Sequence, residues 1–293
     1  MKYLCLLLSF WLTAAATAQL EVGMELKRRT FLRGEPIEVK VAIRNLSGHD
    51  IVLRDENVHQ WFGFEVIRGG DTPIAPVNPN YRNEPLSIPS GDTVTRVVDL
   101  MELFPVDEFG GYRVSAAVYF HETGKYHVSE RIAIEISDGR KVWGQTVGVP
   151  AGFDGEGDLR EFALLTFQTP KEMQLYCRVT DEGTGTILAT YPLGRILTGA
   201  KPMVEFSNDH TLHAFHMSSP GVYSLSLVGI NGSWLGQTLY AAPKGRATVR
   251  KKPDGTMVVV GATRDRSKEP AAPGSPAVPK LSDAPPVAIP VSR

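Results

Sequence analysis

Apolar and polar side chains alternate along most of this chain, in short runs separated by turn residues. In IEVKVAIRN (37–45), Ile37, Val39, Val41 and Ile43 fall on one side, and Glu38, Lys40 and Arg44 on the other. A period of two is that of a strand with one buried face. The same alternation returns in IVLRD (51–55), WFGFEVIRG (61–69), DTVTRVVDL (92–100), YRVSAAVYF (112–120) and RIAIEIS (131–137). Turn residues stand between the runs, as in Gly34-Glu35-Pro36, Gly69-Gly70-Asp71 and Pro89-Ser90-Gly91-Asp92. This spacing of short strands predicts an all-β fold whose first unit is a β-sandwich over residues 19–140.

A second block follows WGQTVGVPAGFDGEGD, and residues 141–160 read as a linker. FALLTFQ (162–168), MQLYCRV (173–179) and TILATYPL (186–193) precede three hairpins. Their turns, Asn208-Asp209, Asn231-Gly232 and Asp254-Gly255, recur every 23 residues. Such pairs supply the positive backbone angles of tight hairpins. Leu212, Leu235 and Val258 stand at matching places after each turn and predict an apolar column on one face. A closed propeller needs at least four four-stranded blades, about twice what is present. The expectation for 161–263 is therefore a single antiparallel β domain of repeated hairpins.

The runs FLRGEPIEVKVAIRNLSGHDIVL, LSIPSGDTVTRVVDLMELF and GGYRVSAAV together resemble bacterial immunoglobulin-like domains. The likeness is to the intracellular proteinase inhibitor family and to macroglobulin-type sandwich domains. It covers residues 31–117 and rests on the Gly-Glu-Pro turn, the Pro-Ser-Gly turn and the late Gly-Tyr-x-Val strand. The resemblance implies an immunoglobulin-like sandwich, and proteinase inhibition as one candidate activity. No segment of the chain matches an inhibitory loop, and the export pattern at the start departs from an intracellular family.

That pattern lies in residues 1–18, with Lys2, an apolar run from Tyr3 to Leu12, and small residues Ala16 to Ala18. It is the three-part layout of a secretory signal cleaved after Ala18. No apolar run is long enough to span a bilayer. The expectation is an exported soluble protein, periplasmic or extracellular. At the other end, residues 264–293 read as a disordered Pro-rich tail, and seven of the 21 prolines fall from Pro270 onward. Without the signal, Cys177 is the sole cysteine, so no internal disulfide is expected. Its alternation with Met173, Leu175 and Val179 predicts a buried, inert thiol. The 31 basic and 32 acidic residues are scattered, which argues against nucleic acid as a partner.

Candidate chemistry is sparse. His210, His213 and His216 crowd one segment, but on a strand His213 and His216 point to opposite faces. His210 and His216 share a face, yet lie roughly 20 Å apart at strand spacing. One zinc ion needs its nitrogens within about 2.1 Å, so no local chelate is expected. HETGKYH (121–127) begins like a zinc-protease helix, but Lys125 stands where the second histidine belongs, and a hairpin turn fits better. His121 and His127 then become neighbours across that hairpin. Asp154, Glu156 and Asp158 have the alternate spacing of a calcium loop, a metal candidate whose twelfth position is Leu165 rather than glutamate. No nucleophile elbow or phosphate loop occurs, and no cofactor is expected. Trp61, Tyr223 and Trp234 are the candidates for an aromatic binding surface.

With two β domains and no chemical motif, the expected function is non-enzymatic recognition of a protein or cell-envelope component. The alternatives are a proteinase inhibitor and a carbohydrate-active or other hydrolase with carboxylates assembled from distant strands.

Overall fold

The computed structural model describes residues 19–56, 58–243 and 245–265. The expected signal (1–18) and the tail from 266 onward lie outside the described residues. The fold is all-β. The first half holds β1 (Leu20–Leu26), β2 (Thr30–Leu32), β3 (Glu38–Asn45), β4 (Ile51–Leu53), β5 (Phe62–Arg68), β6 (Thr72–Pro73), β7 (Leu86–Ile88) and β8 (Thr93–Asp99). The short helix α1 (Leu100–Leu103), β9 (Gly110–Phe120), β10 (Lys125–Val128) and β11 (Ile132–Ser137) complete it.

Two sheets face each other here, one in the order β1-β3-β8 and one in the order β2-β11-β9-β5-β6, with β10 also on β9. β2 joins β11 in parallel; the other pairings of these two sheets are antiparallel. A small β4–β7 pair stands apart. The predicted alternation is what fills the space between the sheets. Val39, Val41 and Ile43 of β3 meet Val114, Ala116 and Val118 of β9, with Trp61 and Phe62 at one end. Each large apolar side chain so buried contributes roughly 1.5–3 kcal/mol. Asp99 ends β8 and starts α1, its Oδ1 accepting the N–H groups of Ile37 (2.8 Å) and Met101 (3.0 Å).

The second half holds β12 (Arg140–Gly148), β13 (Leu159–Gln168), β14 (Met173–Asp181), β15 (Ile187–Arg195), β16 (Met203–Phe206) and β17 (Leu212–Ser219). β18 (Val222–Val228), β19 (Trp234–Ala241), β20 (Thr248–Lys251), β21 (Met257–Val260) and β22 (Thr263–Arg264) follow. β12 to β15 form one antiparallel meander, β16 to β19 a second, closed by β22. The two meanders pack face to face over Phe162, Leu164, Cys177, Leu212 and Val228. The outer face of the second meander is covered by the β20–β21 hairpin through Phe215, Tyr223 and Val249. The outer face of the first meets Leu32 of β2 through Ala163, Leu165 and Tyr176. That sheet is therefore buried on both sides, which is why FALLTF reads as an apolar run interrupted only by Thr166.

Three expectations are corrected. Residues 141–160 are not simply a linker, because β12 pairs with β13 from Arg140 to Gly148. As an edge strand it exposes most of its side chains, so no apolar alternation marks it. The column of Leu212, Leu235 and Val258 does not exist: Leu212 is buried while Leu235 is 52% exposed. Val228 pairs with Trp234, so Trp234 takes the inward place and the next residue turns out. Likewise Met257 and Val259 pack inward, leaving Val258 on the other face. Third, Arg264 belongs to β22 on the β19 edge, so the tail begins later than residue 264.

The halves are joined by polar contacts around that seam. Arg178 pairs with Asp138 and donates to Arg33 O (2.9 Å), and Thr190 Oγ1 donates to the same carbonyl (3.0 Å). Arg28 pairs with buried Glu35 and donates to Tyr176 Oη (2.9 Å).

Candidate binding cleft

The predicted site residues are dispersed. His216 is buried between the two meanders, with Nε2 donating to Arg195 O at 3.0 Å. Burial lowers its pKa to about 4. His213 points to the opposite face, 3.2 Å from Ser207 Oγ, and His210 sits in the turn with φ of 61°. His121 and His127 both lie against the Phe120 ring, and His127 is paired with Val118. Asp154, Glu156 and Asp158 do not converge. Glu156 accepts the Gly152 N–H (3.1 Å) and Asp158 pairs with Arg160 (3.2 Å), and no acidic or histidine cluster suited to a metal occurs among the described residues.

The aromatic surface is corrected too. Trp61 is fully buried in the first core and Tyr223 is stacked on Phe215 in the hairpin core, so neither ring is offered to a partner. Trp234 is half-buried, edge-on to Tyr191 at 5.3 Å. Large rings contribute most to stability when buried, and each of these sits where its strand faces a second layer.

Around Trp61, however, the chain builds a cleft. The segment 74–84 arches beside β5 and is pinned to it by buried polar contacts. Asp55 accepts the N–H groups of Trp61 and Asn83, each at 2.8 Å. Asn83 Nδ2 donates to Phe62 O (3.0 Å), and the Tyr81 hydroxyl lies 2.6 Å from Asn83 Oδ1 and 3.0 Å from Phe62 O. Burial pushes that phenol up to about 12, so it stays protonated as a donor. Trp61 Nε1 donates to Glu84 O (3.0 Å), and Gln60 Nε2 to Tyr81 O (2.6 Å) and Pro79 O (3.1 Å). Behind them the Arg96 guanidinium lies over Trp61 and Phe62, 4.8 and 5.4 Å from their ring centres. Such cation–π contacts are worth about 0.5–2 kcal/mol.

Between this arch and β5 lie two hollows that share Gln60, Gly63 and Phe64. One, about 510 Å³, is apolar, walled by Val66, Ile74, Pro76, Leu103 and Phe104, with exposed Glu102 at its mouth. The other, about 520 Å³, is more polar and opens on the outer face of the sheet. Its floor is made by Gly63 and Ala117, which face each other across β5 and β9. A β-carbon at Gly63 meets nothing within 4 Å, so the hollow comes from the small floor. Arg82 and the 48%-exposed Tyr126 stand at its sides, and Tyr126 is held by Tyr119 and His59. Arg82 has no ion-pair or hydrogen-bond partner among the described residues. An apolar chamber, a free cation and flat amide and phenol groups can hold a ligand by shape and polarity.

No family model matches the chain, and no curated protein is similar to it in sequence. Among the described residues, no helix is long and apolar enough to cross a membrane. The cleft residues escaped sequence reasoning because NPNYRNEP (78–85) has no periodicity. The one usable signal was Gly63, a glycine inside a strand, which marks a place where something approaches the backbone.

Proposed function

We propose that this chain is an exported protein without catalytic activity that binds a protein or a cell-envelope component through the cleft beside β5. The observation that carries this reading is the pair of adjoining hollows, set on a rigid strand and held open by the pinned 74–84 segment. Sites built on strands and fixed by buried hydrogen bonds are preorganised for binding. Export rests on the pattern of residues 1–18. The two facing sheets, with the opening segment shared between them as β1 and β2, support the immunoglobulin-like resemblance of the first half.

The test fills the floor. The Gly63→Phe variant places a ring in the outer hollow without leaving the strand conformation. Affinity capture from an envelope extract is expected to recover a partner with the natural chain and to lose it with the variant, at unchanged melting temperature. Identical recovery by both proteins would move the binding surface elsewhere. Turnover on a hydrolase panel would end the non-catalytic reading, and protease inhibition at micromolar protein would replace it with the inhibitor reading.

A further inference from the structure

The edge of β5 that faces the cleft has one unused place. Tyr119 N–H donates to Trp61 O and Gly69 N–H to Gly111 O, so odd-numbered residues of β5 pair with β9. The register agrees, since Ala116, opposite Phe64, turns its own N–H and C=O to Ser129 on the far side. The N–H and C=O of Phe62, Phe64 and Val66 therefore point to the other edge. There the Phe62 carbonyl is taken by Tyr81 and Asn83, and the Val66 carbonyl by the Ile74 N–H. Neither main-chain group of Phe64 meets a partner among the described residues. The cause is where the chain turns: after the Ile74 N–H reaches Val66 O, the segment leaves the edge and the Val77 N–H goes to Leu103 O instead.

A free donor and acceptor thus stand side by side where the two hollows meet. The pins at Phe62 and Val66 are about 13 Å apart along the strand, too close for a peptide to run through as an added strand. One residue fits. Resting on the proposed binding role of this cleft, we infer that it takes the C-terminal residue of a peptide whose last side chain is apolar. The peptide N–H donates to Phe64 C=O, and the side chain lies on the Phe64 face, in the chamber of Val66, Leu103 and Phe104. The terminal carboxylate accepts from Phe64 N–H and meets Arg82, the cation of the second hollow that has no partner among the described residues. Main-chain pairing at a sheet edge with capture of a chain end combines two known recognition modes. Charge-assisted bonds to arginine are the stronger members of the set.

Fluorescence anisotropy with labelled heptapeptides ending in Val-Leu, as the free acid, tests this on the whole mature chain. Saturable binding is expected. Amidating the C-terminus, N-methylating the last residue, and Arg82→Gln should each weaken it about tenfold or more. Equal binding of acid and amide, or indifference to N-methylation, overturns the inference. So does the absence of binding by any of these peptides. If the peptides fail while partner capture still depends on Gly63, only the ligand class is wrong. If capture is also independent of Gly63, the binding role of the cleft falls with it.

Discussion

His216 shows how one side chain can set an acid limit on a fold. Its ring is sealed between two sheets, Nε2 bonded to Arg195 O and Nδ1 without a partner among the described residues. A proton there has no solvent and no carboxylate to meet, so the folded-state pKa falls to about 4. Unfolded histidine titrates near 6.5, so between these values the unfolded chain binds a proton that the folded chain refuses. Stability is thus expected to fall as pH drops through this window, by about 3 kcal/mol at full effect. Urea unfolding at pH 7 and pH 4.5 checks it. His216→Leu should lose some stability at pH 7, for want of the hydrogen bond, yet decline less toward acid than the natural chain. Parallel declines would rule the ring out. Cys177 gives a second reading at this scale. Burial without any compensating charge pushes its thiol up to about 12, so Ellman's reagent at pH 8 should leave the folded protein untouched and react after denaturation. The inert thiol was legible in the alternation of MQLYCRV, as was the divergence of His213 and His216. The burial of Trp61 and Tyr223 was not, because an aromatic on a strand face looks the same whether a second layer covers that face or solvent does.

At the scale of elements, the pinned segment beside β5 depends on a carboxylate that tethers three donors. Asp55 receives the Trp61 N–H, the Asn83 N–H and Asn83 Nδ2 (3.2 Å). Asp55→Ala leaves the two main-chain N–H groups without an acceptor, while Asn83 Nδ2 keeps Phe62 O, and the expected cost is about 2–3 kcal/mol. The 74–84 segment should also become the first point of cleavage in limited proteolysis, since beyond Val77, whose N–H donates to Leu103 O, its remaining ties are to residues 60–66. Global destabilisation without local cleavage would show that the segment is held by something else. The strands themselves were largely readable, for the alternation in β3, β9 and β11 follows directly from one face meeting a core. The three hairpin turns fall between β16 and β17, β18 and β19, and β20 and β21, as the Asn-Asp, Asn-Gly and Asp-Gly pairs indicate. What stayed hidden were elements with no apolar contrast. β12 is exposed along its edge, and the cleft wall is a loop whose order comes from hydrogen bonds between residues far apart in sequence.

For the whole molecule, the question is whether two cores melt as one. Among the described residues the first core contains none beyond Ile136, and the buried residues of the next two begin at Val149, so the halves are joined mainly at one seam. There Leu32 alone of the first half enters the cluster of Ala163, Leu165 and Tyr176. The seam's polar centre is Arg178, nearly buried, which reaches Asp138, Arg33 O and Thr190 Oγ1 (3.2 Å). Asp138 is half exposed, so removing the nearly buried guanidinium costs less than the roughly 3–5 kcal/mol of a fully buried pair. Arg178→Met keeps the stem and deletes the two links to Asp138 and Arg33 O, with the contact to Thr190 inside its own half, leaving each core intact. Calorimetry of the natural chain should give one transition, because neither half can open without exposing the seam. The variant should give two, with the first half's transition unmoved and the second's lowered, since Arg178 lies on β14 within the second half's middle sheet. A single transition in Arg178→Met at a reduced temperature would mean that Leu32, the Thr190–Arg33 hydrogen bond and the Arg28–Glu35–Tyr176 contacts suffice to couple the halves. Leu32→Ala added to that variant would then be the change that separates them.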